Sequence, residues 1–321
     1  MPSEIPLLAM RSFLSPLRAA VFVAGMISVH AQTVPEIEWQ RSFGGSSSDL
    51  CQIVKQTSDG GYILGGTSSS DVSGNKTSMH YGGDDYWVIK IDGNGNKLWE
   101  NSFGGSDTDS LQSLEPTSDG GYILGGVSHS PVSGNKTSVS FGRGDYWVVK
   151  IDADGNKVWE QSFGGSDNDR LESLQQTSDG GYILGGSSYS GVSGNKTAVV
   201  LGNRDFWVVK IDGDGEKVWE SSFGGAEDDS LFSLQQTSDG GYILGGTLYS
   251  GLERFGDFWV IKIDEAGNEV WENAFGGADI EVFHSVQTDP RRRISSRWHF
   301  LLWGFGEQKQ RPIWVPRLLV D

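Results

Sequence analysis

The ten residues TSDGGYILGG begin at Thr57, Thr117, Thr177 and Thr237, three steps of sixty without drift. A second phrase, SFGG, keeps the same step from Ser42 through Ser102 and Ser162 to Ser222, then returns as AFGG at Ala274 after only 52 residues. The short step has a visible cause: VSGNKT, present from Val72, Val132 and Val192, is missing from the fourth copy. A segment that disappears while both its flanks persist is a surface loop. Repetition at this length restricts the chain to one supersecondary unit used several times, each copy hiding its apolar surface on its neighbours.

The third copy supplies four strand candidates: LESLQQT from Leu171, GYILGGSS from Gly181, DFWVVKID from Asp205 and KVWESSF from Lys217. Turn residues separate them, SDGG at Ser178, SGNK at Ser193 and DGDG at Asp212. With a period of two, Trp207, Val209 and Ile211 share one face, and Trp219 and Phe223 share another. Gly pairs interrupt every candidate helix. The expected fold is all-β, a β-propeller of four-stranded antiparallel blades with Trp87, Trp99, Trp147, Trp159, Trp207, Trp219, Trp259 and Trp271 as structural residues of the repeat. A β-solenoid is the alternative, although sixty residues with three internal turns make a long coil.

Residues 32–290 form the propeller region, with units at about 50–109, 110–169, 170–229 and 230–284 and a lone strand near 37–45. That strand, IEWQRSFGG, carries Trp39 and reads as the last strand of a blade whose first three are missing. SVQ from Ser285 opens a fifth unit, so the propeller is expected to be incomplete: four full repeats plus partial blades.

The 321 residues carry a net charge of −17, unevenly placed. Residues 1–31 and 291–321 are each net positive, so the repeats are more acidic than the whole. This argues against nucleic acid as a partner and for a soluble surface that attracts cations. Arg11 and Arg18, the apolar run AAVFVAGMISV and Val29-His30-Ala31 make residues 1–31 a signal peptide cleaved after Ala31. The run is shorter than the roughly 20 residues of a membrane-spanning helix, so no transmembrane anchor is expected after cleavage. Cys51, the sole cysteine, excludes an internal disulfide and reads as a small buried hydrophobe.

Residues 291–321 share no phrase with the repeats. Back-translated with permitted codons and read one nucleotide later, RRRISSRWHF yields DGGYHLAGI, WGFGEQK from Trp303 yields GVSGNK, and RLLV from Arg317 yields DYW. The spacing from Arg291 to Gly304 and Arg317 repeats that from Asp179 to Val192 and Asp205. The tail is therefore expected to be a frameshifted remnant of a further repeat, shifted close to Gln287, and not a native domain.

Chemistry-bearing motifs are few. DADGN, with Asp152, Asp154 and Asn156, and DGDGE, with Asp212 and Asp214, alternate oxygen side chains around a Gly as calcium loops do. The distal Glu is lacking, Phe163 standing at that place, so a hairpin turn is the plainer reading and Ca2+ is the one cofactor candidate. A second acidic cluster, SDTD at Ser106, SDND at Ser166 and AEDD at Ala226, reads as a solvated loop. NKT at Asn75, Asn135 and Asn195 matches a glycosylation sequon, but its periodicity makes it part of the loop template. His80, His129 and His284 show no metal spacing, and no Gly-x-Ser-x-Gly elbow occurs.

The phrases DGGYILGG and DYWVVKIDADGNKVWEQSFGG resemble the repeat of bacterial secreted β-propeller proteins that are cargo of type IX secretion, over about residues 37–290. KIDADGNKVWE is similar, more distantly, to the repeats of quinoprotein propellers, with Asp152, Gly155 and Trp159 at the matching places. The first resemblance implies a secreted or cell-surface, extracellular location and a sorting domain that this chain lacks; the second implies fold only, and no quinone site can be carried over. Two functions follow as expectations. One is a non-catalytic binding or adhesion scaffold for an extracellular protein or glycan. The alternative is a carbohydrate-active or quinoprotein-like enzyme, or an enzyme-associated propeller module.

Overall fold

A computed structural model describes residues 36–249, 256–276 and 285, and the backbone of 301–302 and 313–314. The expected signal peptide, His284, and almost all of the tail lie outside the described residues. The chain divides into two units, Met1–Glu38 and Trp39–Asp321. Residues 36–38 of the first are irregular.

The second unit contains four four-stranded antiparallel sheets, each in simple sequence order. The first is β1 (Asp49–Gln56), β2 (Tyr62–Ser68), β3 (Asp85–Ile91) and β4 (Lys97–Phe103). The second is β5 (Asp109–Pro116), β6 (Tyr122–Ser128), β7 (Asp145–Ile151) and β8 (Lys157–Phe163). The third is β9 (Asp169–Gln176), β10 (Tyr182–Ser188), β11 (Asp205–Ile211) and β12 (Lys217–Phe223). The fourth is β13 (Ser230–Gln236), β14 (Tyr242–Tyr249), β15 (Gly256–Ile263) and β16 (Glu269–Phe275). In the tail, β17 (Leu301–Leu302) pairs with β18 (Ile313–Trp314). No helix occurs among the described residues, so none there is long and apolar enough to cross a membrane.

Alternation along β7 and β11 sends odd and even residues into different cores. Tyr86 and Val88 of the first sheet pack with Trp147, Val149 and Ile151 of the second. Tyr146 and Val148 of the second pack in the same way with Trp207, Val209 and Ile211 of the third. Each central strand is thus buried on both faces, which is why DYWVVKI reads as a nearly continuous apolar run. Ring centroids of Tyr86 and Trp147 lie 4.8 Å apart, and those of Tyr146 and Trp207 4.6 Å. Tyr146 Oη also donates to the Trp207 carbonyl at 3.0 Å. At the next joint Phe206 meets Trp259 at 4.7 Å without a hydroxyl to donate.

The first strand of each sheet departs from strict alternation. Leu111 and Leu114 are three apart, which in a regular strand puts them on opposite faces. A β-bulge at Gln112, where Leu111 pairs with Gly126 and Ser113 with Gly125, brings both to the face against the preceding sheet. The same register break sets Leu171 with Leu174 and Leu231 with Leu234.

In the first sheet this face has no preceding sheet among the described residues. Val54, at the place of Leu114, is 59% exposed. Cys51 stands where Leu111 stands in the second sheet and is exposed, not the buried hydrophobe its apolar strand suggests. Pairing alone cannot reveal this, because burial here is a property of the adjacent sheet. Trp39 and Phe43 partly cover Trp87, Ile89 and Ile91, leaving a cleft of about 170 Å³ beside Leu50, Cys51 and Leu64.

Candidate functional site

Each sheet presents two edges of turns, and the polar side chains sort between them. At one edge lie the β1–β2 and β3–β4 type hairpins. Gly155 closes DADGN with φ 84°, a conformation that favours glycine. A Cβ there would stand 2.9 Å from the Trp99 ring, so the indole of one sheet rests on the bare turn of the next. Trp99 Nε1 donates to the Ala153 carbonyl at 3.1 Å, and its ring meets Tyr122 edge-on. Trp159 repeats both contacts with Gly213 and Tyr182, and Trp39 makes them with Gly93 and Tyr62. Trp219 lies against Tyr242 and over Gly267.

The expected calcium residues fall in this edge and act within their own turn. Asp152 Oδ1 accepts from the backbone N–H of Asp154 and Asn156, and Oδ2 from Asn156 Nδ2. Asp212 accepts likewise from the N–H of Asp214 and Glu216. Asp154, Asn156 and Asp214 are exposed. Among the described residues no three His, Cys, Asp or Glu side chains cluster to hold a metal.

The same edge carries a buried-to-surface ion pair in every copy. Lys150 Nζ reaches Asp119 at 2.9 Å and Lys210 Nζ reaches Asp179 at 3.0 Å. Burial pushes these carboxyls up, but the neighbouring Thr hydroxyl, the lysine and the Gly N–H together pull each down to about 2, from the usual 3.8. The folded state thus holds its protons less tightly than the unfolded chain. The pairs contribute stability above pH 4, and it is lost as pH falls through about 2. A denaturation series from pH 5 to 2 should show this decline, and Asp119→Asn with Asp179→Asn should make it shallower; an unchanged slope would count against the pairing.

The opposite edge joins the β2–β3 type loop to the crossover that follows FGG. Asn135 ties the loop to the segment 102–104: Oδ1 accepts from Gly104 N at 2.9 Å, Nδ2 donates to the Ser102 carbonyl at 2.9 Å, and its own N–H donates to the Gly104 carbonyl at 3.1 Å. Asn75 and Asn195 do the same for 42–44 and 162–164. The sequon nitrogens are therefore engaged in a clamp, which is why NKT recurs. Ser106 N donates to Ser133 Oγ at 2.8 Å, tying the loop a second time. Glu160 Oε1 accepts from Thr137 and Ser138, and Lys157 lies 2.9 Å from Oε2. Lys136, almost fully buried, donates to the Ser138 carbonyl at 2.8 Å and lies 5.9 Å from the Trp147 ring centre. Burial lowers the pKa of that ammonium.

The eight repeat tryptophans divide into two sets. Trp87, Trp147, Trp207 and Trp259 are 5% exposed or less, in the cores between sheets. Trp99, Trp159, Trp219 and Trp271 are half-buried near the hairpin edge. The second acidic cluster divides: Ser106, Asp107, Ser166 and Ala226 are exposed, as a solvated loop should be, whereas the last aspartates, Asp109, Asp169 and Asp229, are fully buried at the joints between sheets. Sequence reasoning missed them because hydrophilic residues after FGG read as loop. The signal was their phase, since they recur sixty residues apart, Asp109 and Asp169 opening β5 and β9 and Asp229 standing just before β13. Outward on the clamp edge, Val72, Val132 and Val192 are 57–62% exposed at equivalent places.

No known protein family matches the chain as a profile. The chain is 26% identical over 246 residues to the regulatory protein FlaEY of Caulobacter vibrioides, covering 72% of this chain and 25% of that protein. It thus spans about a quarter of that relative's length. Among solved structures it is similar to Sqt1 from Chaetomium thermophilum, with TM-score 0.33, 13% identity, and coverage of 76% and 63% of the two chains.

Proposed function

We propose that this chain is an incomplete β-propeller acting as a non-catalytic binding or adhesion scaffold, secreted or at the cell surface, for an extracellular protein or glycan. The observation that carries the reading is the equivalence of the copies. Asn, Ser, Thr, Glu and Lys side chains at the clamp edge do the same loop-holding task in the first three copies, whereas catalysis needs unlike groups converging from different sheets. What the repeats leave outward is a recurring set of exposed valines, suited to contact rather than chemistry.

The propeller arrangement rests on Trp39 and Phe43. They occupy, against the first sheet, the places that Trp99 and Phe103 occupy against the second. Residues 36–45 are irregular as they stand; in this proposal they become the fourth strand of a closing blade whose second and third strands lie in the shifted frame after Gln287. The N-terminal leader and the secreted location belong to the same proposal, as does the frameshift.

One experiment tests the reading. The gene is repaired by one nucleotide near the Gln287 codon, and both chains are compared. In the chain as it stands the Cys51 thiol should react readily with a thiol reagent. In the repaired chain it should be protected, and that chain should bind on glycan or protein arrays without hydrolysing or oxidising what it binds. Equal labelling of Cys51 in both chains would sink the closing blade; turnover of a bound ligand would sink the non-catalytic role.

A further inference from the structure

Many positions of the repeat keep their chemistry from copy to copy even where they face water, as the exposed valines Val72, Val132 and Val192 do. Four positions change class altogether. Ser69 is followed by His129 and Tyr189, Gly83 by Arg143 and Asn203, Asp84 by Gly144 and Arg204, and Leu50 by Ser110 and Arg170. These positions are far apart in the sequence of a unit, yet the fold gathers them on the first-strand side of the clamp edge.

Backbone bonds do the gathering. Asp169 N donates to the Gly144 carbonyl at 2.7 Å and Tyr189 N to the Asn168 carbonyl at 2.9 Å, while Arg204 forms a parallel bridge with Asp228. Arg170 lies one strand away, paired with Ser187. His129 Nδ1–H donates to the Arg143 carbonyl at 2.6 Å, and its ring lies over Gly144, where a Cβ would stand 2.9 Å from Cε1 and 3.3 Å from Asn168 Oδ1. In the next copy the guanidinium of Arg204 stands 5.4 Å from the ring centre of Tyr189. Residues from two consecutive sheets thus form one continuous face, whose varied side chains take no part in holding the loops.

Its chemistry is unlike that of the rest of the chain. Of the four arginines among the described residues, Arg143, Arg170 and Arg204 stand here, in a protein of net charge −17. The side chains of Arg143 and Arg170 are 75% and 57% exposed, and Tyr189 is 39% exposed. Each exposed arginine has an acidic neighbour, Asp167 at 3.7 Å from Arg143 Nη1 and Glu172 at 2.5 Å from Arg170 Nε. Those contacts orient the guanidinium through one nitrogen, and its planar fork carries five N–H donors in all. Forked donors fit carboxylates, and an exposed aromatic ring beside them fits the apolar face of a pyranose.

We propose that the face built by His129, Arg143, Asn168, Arg170, Tyr189 and Arg204 binds an acidic saccharide, the arginines taking its carboxylates and Tyr189 a sugar ring. The assignment rests on the binding role proposed above and names its ligand class. An acidic peptide offers the same charges without pyranose faces, so the ring beside the arginines favours the saccharide.

Calorimetric titration of the whole chain with tetragalacturonate, in about 50 mM salt, should show binding that neutral maltotetraose does not, and about 200 mM salt should weaken it. The Arg143→Ala/Arg170→Ala double variant should lose about tenfold or more in affinity. Lys55→Ala removes one positive charge at the hairpin edge and should stay within about twofold. Both arginines are exposed, so the variants keep the fold, and the comparison of acidic with neutral sugar needs no variant. Tetraglutamate should bind at least about fivefold more weakly than tetragalacturonate. Equal affinity for the two marks a surface for acidic peptides and overturns the proposal, as does equal affinity for the two sugars or a double variant that binds like the unmodified chain. Capture of a neutral glycan or a protein on the arrays, without any response to tetragalacturonate, removes this assignment and leaves the scaffold role standing.

Discussion

Trp207→Ala should lower the unfolding free energy by about 3–5 kcal/mol, the range for truncating a fully buried large aromatic. Trp207 is 0% exposed and sits at the joint of the second and third sheets. Its ring faces Tyr146 on one side, with Lys196 Nζ 5.5 Å from the ring centre, and its Nε1 donates to Glu220 Oε2 at 2.9 Å. Removing it opens a cavity between sheets, takes the aromatic face from a buried ammonium and leaves a largely buried carboxylate oxygen without its donor. Trp207→Phe keeps most of the ring packing and loses only the hydrogen bond, so it should fall well short of the alanine variant. Urea unfolding of the three chains decides the matter; a loss under 1 kcal/mol for Trp207→Ala would show that the sheets do not depend on each other for their cores.

Gly186→Ala should cost about 1–3 kcal/mol although it adds a single methyl group. Gly186 lies opposite the β9 bulge, and a Cβ there would stand 2.0 Å from the Arg170 carbonyl oxygen and 2.8 Å from Tyr146 Oη. One neighbour is backbone and the other is the hydroxyl that ties two sheets, so neither yields without breaking a ladder or a joint. Gly191→Ala is the matched control, because nothing lies within 4 Å of a Cβ at that position. Melting temperatures that fall equally in both variants would refute the steric account and leave only the general effect of replacing glycine.

Strand order and turn positions were legible because they depend on local chemistry. DGGYILGG and DYWVVKI alternate at period two and end at glycine turns, which fixes strands wherever the sheet goes. What was not legible depends on neighbours sixty residues away. Cys51 and Leu111 sit in similar apolar strands, yet one is exposed and the other buried, since among the described residues only Leu111 has a sheet in front of it. Asp109 reads as loop until the clamp edge folds over it. Asn135 reads as a sequon until its side chain is seen to bridge two segments. Periodicity itself held the clue in each case, since a polar residue kept in phase across copies has a partner kept in phase as well.

The third joint differs from the two before it in three ways. Phe206 replaces the tyrosine whose hydroxyl ties the earlier sheets, the fourth copy has no asparagine for the clamp, and Asp229 Oδ1 accepts from the Tyr249 N–H. β14 and β15 instead run on to the Tyr249 and Gly256 pair, lengthening their own ladder where the loop was lost. In an array where each member touches only its neighbours, such drift stays local. The fourth copy has traded ties to its neighbour for ties within itself, which gives a row of near-identical parts one member able to diverge without unsettling the rest.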